Sequence, residues 1–577
     1  MVTELIIPDG ITAIGDYTFS GGTCIESVVV SDSVTYIGEY AFSGCTALNG
    51  LDFGDSLISI GRYAFNGCSG LSELTLADGL KTIGSYAFCG CTGLTAVVVP
   101  DSVISIGSSS FSGCSALESI TLPFAGGSVS SSMPLGYIFD TSSFSGGTRT
   151  AQLYASGYTA FYIPKTLASV TVTGGEISYG AFYNCSMLIS VTLSDSVTSV
   201  GKYAFYECTA LTDVDLGGGV TSIGEYAFQR CTGLTGITIS SSVVSIETYA
   251  FYGCTALTDL GFGDGTTKIG SYAFYGCTAL TDLDLGGGAM EIDSYAFYRC
   301  TGLVSVTVGN GVTSMGNGVF SNCTSLSAVN IDDIAAWCSI DFDSGSANPL
   351  YYAGDLYLNG SLVTELIIPD SLTAIGDYAF FCGTNITSVV ISDGVTSIGK
   401  YAFYGCTSLT SVTVPDSVTS IGDSAFSGCS ALEDITLPFV GGSASAASAS
   451  SSTLFGYIFG TSSYTGGTAI TQYYASSSGL KYYIPKTLAS VTVTGGEILY
   501  GAFYNCTNLT SVTLSDGVTS IGSHAFYGCT ALTDLDFGKG VTQIGSYAFY
   551  GCIGLTALSV PDSVTSVETY TFYGQCH

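Results

Sequence analysis

Apolar and polar positions alternate along this chain in short pieces. In Leu280-Thr-Asp-Leu283-Asp-Leu285, Leu283 and Leu285 alternate with Asp282 and Asp284, the pattern of a half-buried strand with its carboxylates turned outward. Gly286-Gly-Gly288 then turns the chain, and Met290 and Ile292 continue the alternation in a second short extended piece. Tyr295-Ala-Phe297-Tyr-Arg-Cys300 reads as one helical turn that drives Phe297 and Cys300 inward. The same pattern predicts parallel strands near residues 211–216, 234–239, 257–262, 280–285 and 303–308.

Phenylalanine sets the period. Phe19 through Phe111, Phe182 through Phe320, Phe380 through Phe426 and Phe503 through Phe572 recur every 23 residues, giving nineteen units. A unit this short cannot bury its apolar side alone, so neighbours must stack into ladders of like residues. Phe205, Phe228, Phe251, Phe274 and Phe297 make one such structural ladder, and Cys208, Cys231, Cys254, Cys277 and Cys300 make a second. The predicted fold is α/β: a strand-rich leucine-rich-repeat solenoid whose 23-residue coils each hold a parallel strand, a second short extended segment and one helical turn.

Three interruptions break the period. Phe111 to Phe182 and Phe426 to Phe503 span 71 and 77 residues, and both carry LPF, a Ser/Gly-rich stretch, GYIF and YIPKTLASVTVTGGEI. They read as bulged coils with disordered tips. Phe320 to Phe380 spans 60 residues and holds Trp337-Cys338, Asn348-Pro349-Leu-Tyr-Tyr352 and two alternating runs around Asn359-Gly360, a type I′ hairpin signal. The expected organisation is a first module over residues 1–330 with an insert at 123–166, an irregular coil over 331–362, and a second module over 363–577 with an insert at 438–487, all in one continuous solenoid. With its LPF…GYIF and WC…NPLYY…LYLNG insertions, the unit AFYGCTxLTxVxVPDSVTSIG resembles the BspA-like, treponemal-type leucine-rich-repeat proteins. That resemblance implies the surface of a bacterium or protist, adhesion to matrix proteins, cells or surfaces, and no shared catalytic site.

Only 10% of residues are charged, and 12 Lys+Arg against 45 Asp+Glu leave a net charge of −33. Such a chain repels phosphates and anionic lipid, so nucleic acid is not an expected partner. Apolar residues never run to the ~18 that a spanning helix needs, so no membrane insertion is expected. The opening MVTELIIPDG has no basic or long apolar region, so neither a signal peptide nor an anchor is read in this chain. Residues 1–19 nearly repeat 362–380 yet hold only the second arm of the hairpin, as expected of a fragment or a misplaced start.

Sixteen of the 21 cysteines sit three residues after the repeat Phe and read as a packing ladder of free thiols. Cys24, Cys89, Cys338, Cys382 and Cys576 are off register, and a reactive thiol is sought among them. His524 takes a slot filled by Tyr in 13 units, and ten more Tyr directly follow the repeat Phe. These two stripes either cover the apolar end of the coil or form an aromatic contact surface. Neither GxSxG, HExxH nor GxGxxG occurs, so no enzyme is expected. Six Asn-X-Ser/Thr sequons, at Asn184, Asn322, Asn359, Asn385, Asn505 and Asn508, arise largely from the repeat itself.

Two candidate sites follow. Residues 124–162 and 440–483 are Gly/Ser-rich with scattered aromatics, and Tyr154, Tyr158, Tyr473 and Tyr474 are the expected ligand-binding residues. On the strand face, Asp213, Asp215, Asp259, Asp264, Asp282 and Asp284 are expected to share one patch, and calcium is the only cofactor they suggest. The expected function is non-catalytic adhesion or recognition at the cell surface or outside the cell, with a protein or glycan ligand. An intracellular interaction scaffold and a structural wall or sheath component are the alternatives.

Overall fold

Backbone hydrogen bonds between coils 23 residues apart generate the fold. A computed structural model describes residues 2–129, 132–154, 157–288 and 290–574. The chain is a strand-rich parallel solenoid. Around Phe251, strand Gly236–Ile239 pairs in parallel with Asp259–Phe262, Gly236 standing opposite Asp259. The second extended pieces form their own ladder of two-residue strands, with Ser222 beside Ser245 and Ser245 beside Lys268. Alternation works as expected: Leu260 and Ile237 are buried, whereas Asp259 is exposed.

The segment read as a helical turn is a run of hydrogen-bonded turns closed at both ends by left-handed residues. In the coil of Phe251 these are Tyr249 (φ 61°) and Gly253 (φ 73°). Between them the Cys254 N–H donates to the Phe251 C=O at 3.2 Å. The Phe228 N–H donates to the Ala250 C=O of the next coil at 2.7 Å, and the Cys254 thiol donates back to the Phe228 C=O at 3.2 Å. Thiols of fourteen ladder cysteines make this bond to the phenylalanine one coil earlier. Between them run the phenylalanine rings, stacked at 5.0 Å for Phe228–Phe251 and Phe251–Phe274. All sixteen ladder thiols are buried and free. Burial pushes Cys208 and Cys254 up to about 12, so they stay protonated.

The chain divides into two compact units, Met1–Leu303 with Phe320–Ser325, and Val304–Val319 with Leu326–His577. Each carries one insert whose described part is ordered; residues 130–131 and 155–156 of the first insert, on which part of the expectation of disordered tips falls, lie outside the described residues. In the first unit, strands Gly147–Tyr154 and Gly157–Pro164 form an antiparallel hairpin. Its counterpart in the second unit is Gly467–Ala475 with Ser478–Pro485. Ahead of each hairpin the GYIF segment forms a short 3-10 helix, Leu135–Ile138 or Phe455–Ile458, that stands in for a coil. There the Phe111 N–H donates to the Ile138 C=O at 2.9 Å, and the Leu135 N–H donates to the Ala181 C=O at 2.8 Å.

One buried glutamine completes each replacement. Gln152 is fully buried; its Oε1 accepts from the Gly136 N–H at 2.6 Å, and its Nε2 donates to the Cys185 sulfur at 3.1 Å. Gln472 does the same with Gly456 and Cys506, at 2.7 and 3.4 Å. Cys185 and Cys506 are the two ladder positions whose preceding coil is an insert, and there the sulfur accepts from an amide N–H instead of donating its S–H to a phenylalanine carbonyl.

In the second unit the irregular segment behaves as its motifs predict. Asn359 (φ 49°) and Gly360 (φ 77°) make the left-handed turn that joins Asp355–Leu358 to Ser361–Leu362. Asn348 and Trp337 are buried. Trp337 Nε1 donates to the Ala379 C=O at 2.7 Å, and Asn348 Nδ2 donates to the same oxygen at 3.0 Å.

Two outcomes are expected. Ladder thiols should resist a thiol reagent in the native protein and react as free groups once the chain is denatured; ready native reaction would contradict the burial. Gln472→Ala leaves the Gly456 N–H unpaired in the interior, at a cost of about 1–3 kcal/mol. A lower urea midpoint in circular dichroism checks it, and an unchanged midpoint would show that the amide is dispensable.

Candidate binding surface

Tyrosine occupies a backbone slot that ordinarily suits glycine. Two residues before the repeat Phe, Tyr203, Tyr226, Tyr249, Tyr272 and Tyr295 have φ between 57° and 63°. A left-handed residue with a Cβ costs roughly 1–2 kcal/mol against its right-handed form. Gly180, Gly318 and Gly501 fill this slot in other coils, so the backbone accepts the cheaper residue. What Tyr adds is its ring: Tyr203–Tyr226 and Tyr226–Tyr249 stack face to face at 4.8 and 5.0 Å. A second stripe runs beside it, with Tyr252–Tyr275 at 4.4 Å and Tyr275–Tyr298 at 5.3 Å. Rings stacked in this way are half-buried, with their faces covered by one another.

The inserts join these stripes. In the first unit Tyr158, 64% exposed at the hairpin end, meets Tyr183 edge to face at 5.7 Å, and Tyr183 stacks on Tyr206 at 4.6 Å. Tyr154 sits on the facing strand, its hydroxyl 3.0 Å from the Thr159 hydroxyl. In the second unit Tyr473 lies 5.0 Å from Tyr504, which heads the stacked run Tyr504–Tyr527–Tyr550–Tyr573. Tyr474 is the half-buried neighbour of Tyr473 on strand Gly467–Ala475. Of the expected insert residues, Tyr158 and Tyr473 thus meet the tyrosine stripes, one in each unit.

Electrostatics keep this surface neutral. Burial, then the neighbouring phenols of Tyr527, Tyr473 and Tyr500, pushes Tyr504 up to about 12. Tyr252 and Tyr272 rise for the same first cause. Several of the scarce cations lie over ladder rings: the Arg62 guanidinium is 4.9 Å from the centre of Tyr63, and Lys202 Nζ is 5.2 Å from that of Tyr203. His524 behaves as a tyrosine replacement, 5.0 Å from both Tyr500 and Tyr547, and burial lowers its pKa.

Of the six expected aspartates, Asp213, Asp215 and Asp259 line one shallow hollow of about 340 Å³ in the first unit. Among the described residues no three carboxylate, thiol or imidazole groups are gathered closely enough to hold an ion. Parallel strands point their side chains in parallel, and Gly236 stands between the registers of Asp213 and Asp259. Two of the six carboxylates also serve the backbone: Asp215 Oδ1 accepts from the Gly217 N–H at 3.0 Å, and Asp284 Oδ1 from the Gly286 N–H at 2.9 Å.

Of the off-register cysteines, Cys338 is buried and Cys24, Cys89 and Cys382 are half-buried; Cys576 lies outside the described residues. Burial pushes Cys382 up to about 11, away from the reactive thiolate. Among the sequons, the Asn385, Asn505 and Asn508 amides are already engaged, with the Val363 C=O, the Thr471 C=O and the Thr468 hydroxyl.

A family model described as BspA type leucine rich repeat region (6 copies) matches residues 2–133, 153–261, 221–338, 354–452 and 496–577. Similar solved structures include a leucine-rich repeat protein from Bacteroides ovatus, 19% identical, with 88% of this chain and 87% of that chain covered and a TM-score of 0.26. A leucine rich cell surface protein from Faecalibacterium prausnitzii is 23% identical, with 64% and 79% covered and a TM-score of 0.25. A T. pallidum leucine rich repeat protein is 21% identical, with 40% and 78% covered and a TM-score of 0.22. No curated protein matches the chain.

Raised phenol pKa values carry a pH dependence. The folded state holds its Tyr504 proton up to about 12, against an ordinary value of 10.0, so the unfolded chain ionises first. Stability is therefore full below pH 10 and falls as pH rises from about 10 toward 12. Ultraviolet titration of the phenolate band should show a class of tyrosines ionising late, together with alkaline unfolding. Normal titration of every tyrosine would contradict the stacked arrangement.

Proposed function

Because the chain belongs to the BspA-type leucine-rich-repeat family, we propose that it is a non-catalytic recognition protein of the cell surface or the extracellular space, binding a protein or glycan ligand through its scaffold and inserts. A repeat scaffold of this kind suits interaction, since its packing residues are fixed and its insertions are free to vary. One observation carries the reading: in each unit an insert hairpin lays a tyrosine, Tyr158 or Tyr473, against the first ring of a tyrosine stripe. An aromatic surface held on a rigid scaffold gives large contact area at little loss of side-chain freedom. The surface location rests on family membership, and among the described residues no helix is long and apolar enough to cross a membrane.

A binding screen of the full chain against matrix proteins and glycans tests the proposal. The double variant Tyr158→Ser/Tyr473→Ser should fold normally and weaken the protein-ligand binding the screen finds by roughly tenfold or more, the loss of two aromatic contacts. Undiminished binding would move the site to the strand face.

A further inference from the structure

Stacked stripes leave ring edges free and cover ring faces, and one place where the second unit interrupts the stacking lies upstream of Phe380. Segment 331–362 stands where a coil would precede that of Phe380, and it brings small residues, Ser344-Gly345-Ser346, against the stripes. Tyr378 stacks on Tyr401 at 5.3 Å and Phe381 on Tyr404 at 4.6 Å, both on the downstream side. Upstream, Phe381 meets the tilted ring of Tyr351 at 5.7 Å and 60°. Gly345 passes so close that a Cβ there would lie 2.5 Å from Phe381 Cζ. With Ser462 from the insert, these residues enclose a hollow of about 410 Å³. That volume is within the range of small-molecule sites, about 300–1,000 Å³.

The walls are fixed from beneath. Asn348, fully buried, donates from Nδ2 to the C=O groups of Tyr378 (2.8 Å) and Ala379 (3.0 Å), and its Oδ1 accepts from the Leu350 N–H at 2.8 Å. The Tyr352 hydroxyl donates to the Ser346 C=O at 3.0 Å. Tyr351 is thereby placed on the rim, 51% exposed. The lining is five aromatic rings in several orientations and three serine hydroxyls, with no charged side chain.

We propose that this hollow binds one or two rings of an uncharged saccharide. This deepens the recognition reading and rests on it. A pyranose presents an apolar face of C–H groups, which packs on an aromatic face, and a rim of hydroxyls, which exchange hydrogen bonds with serine and tyrosine hydroxyls. Anionic sugars are disfavoured by the net charge of −33. An organic cation would find aromatic faces but no carboxylate in the lining, and Lys400 Nζ already sits 5.0 Å from the centre of Tyr401.

Saturation-transfer NMR and calorimetry on the full chain test this, with maltose, cellobiose, lactose and chitobiose as probes and tetramethylammonium as the competing chemistry. At least one disaccharide should bind. Tyr351→Ala, at a half-exposed site, should weaken that binding about tenfold. Ser462→Ala, at an exposed serine, should weaken it about threefold. Tyr158→Ser should leave it unchanged. Binding of tetramethylammonium in place of sugars, or of none of the four sugars, overturns the proposal. Sugar binding kept in Tyr351→Ala but lost in Tyr158→Ser also overturns it, while leaving the hairpin reading of recognition intact.

Discussion

Every coil in this chain leaves its central turn unsatisfied until the next coil arrives. The Phe251 N–H needs the Ala273 C=O, and the Phe251 C=O takes the thiol of Cys277. A buried peptide group without a partner costs about 1–3 kcal/mol, so a 23-residue register is enforced at every step along the stack. Period, ladder cysteine and small alanine beside the phenylalanine are three views of that one requirement. The same requirement dictates what an interruption must contain. Where a coil is replaced, GYIF supplies the 3-10 turn and Gln152 or Gln472 supplies the polar partner. Where segment 331–362 intervenes, the Ala379 C=O has no preceding phenylalanine to serve it, and Trp337 and Asn348 donate to it instead. The insert motifs are therefore solutions to a hydrogen-bonding problem before they are anything else.

Much of this is legible in the sequence because packing repeats. Alternation at Asp259–Phe262 and the 23-residue recurrence of Phe and Cys each report an inward face, and one side chain repeated nineteen times averages away local noise. The Asn359-Gly360 turn is legible because both residues tolerate positive φ. The insert hairpins are not: Gly147–Tyr154 runs Gly-Thr-Arg-Thr-Ala-Gln-Leu-Tyr, with no clean alternation, and neither hairpin is joined by an Asn-Gly or Asp-Gly pair. Gln152 is hidden for a related reason, since a glutamine in a Gly/Ser-rich stretch reads as solvated. Its signal was the equivalent Gln472 in the other insert. The left-handed tyrosines are concealed because tyrosine is not a residue of that region; the clue lay in Gly180, Gly318 and Gly501, which stand in the same slot.

The aspartates mark where pattern and chemistry part. Recurrence of Asp-x-Asp shows that these positions face solvent, and nothing in the recurrence says whether the carboxylates converge. In a parallel ladder they point alike, and Asp215 and Asp284 bend back to hold the turn that follows them. These two carboxylates serve the turns that follow their strands.

Aromatic contacts in this chain change where ladders are interrupted. Within an unbroken stack such as Tyr203–Tyr226–Tyr249, each ring lends its faces to its neighbours and offers a ligand only its edge and hydroxyl. The chain has three interruptions, and each places aromatic rings at the break: Tyr158 against Tyr183, Tyr473 against Tyr504, and Tyr351 beside Phe381. At each interruption a glutamine, tryptophan or asparagine closes the neighbouring turn, so the breaks obey the same hydrogen-bonding constraint that makes the rest of the chain repetitive.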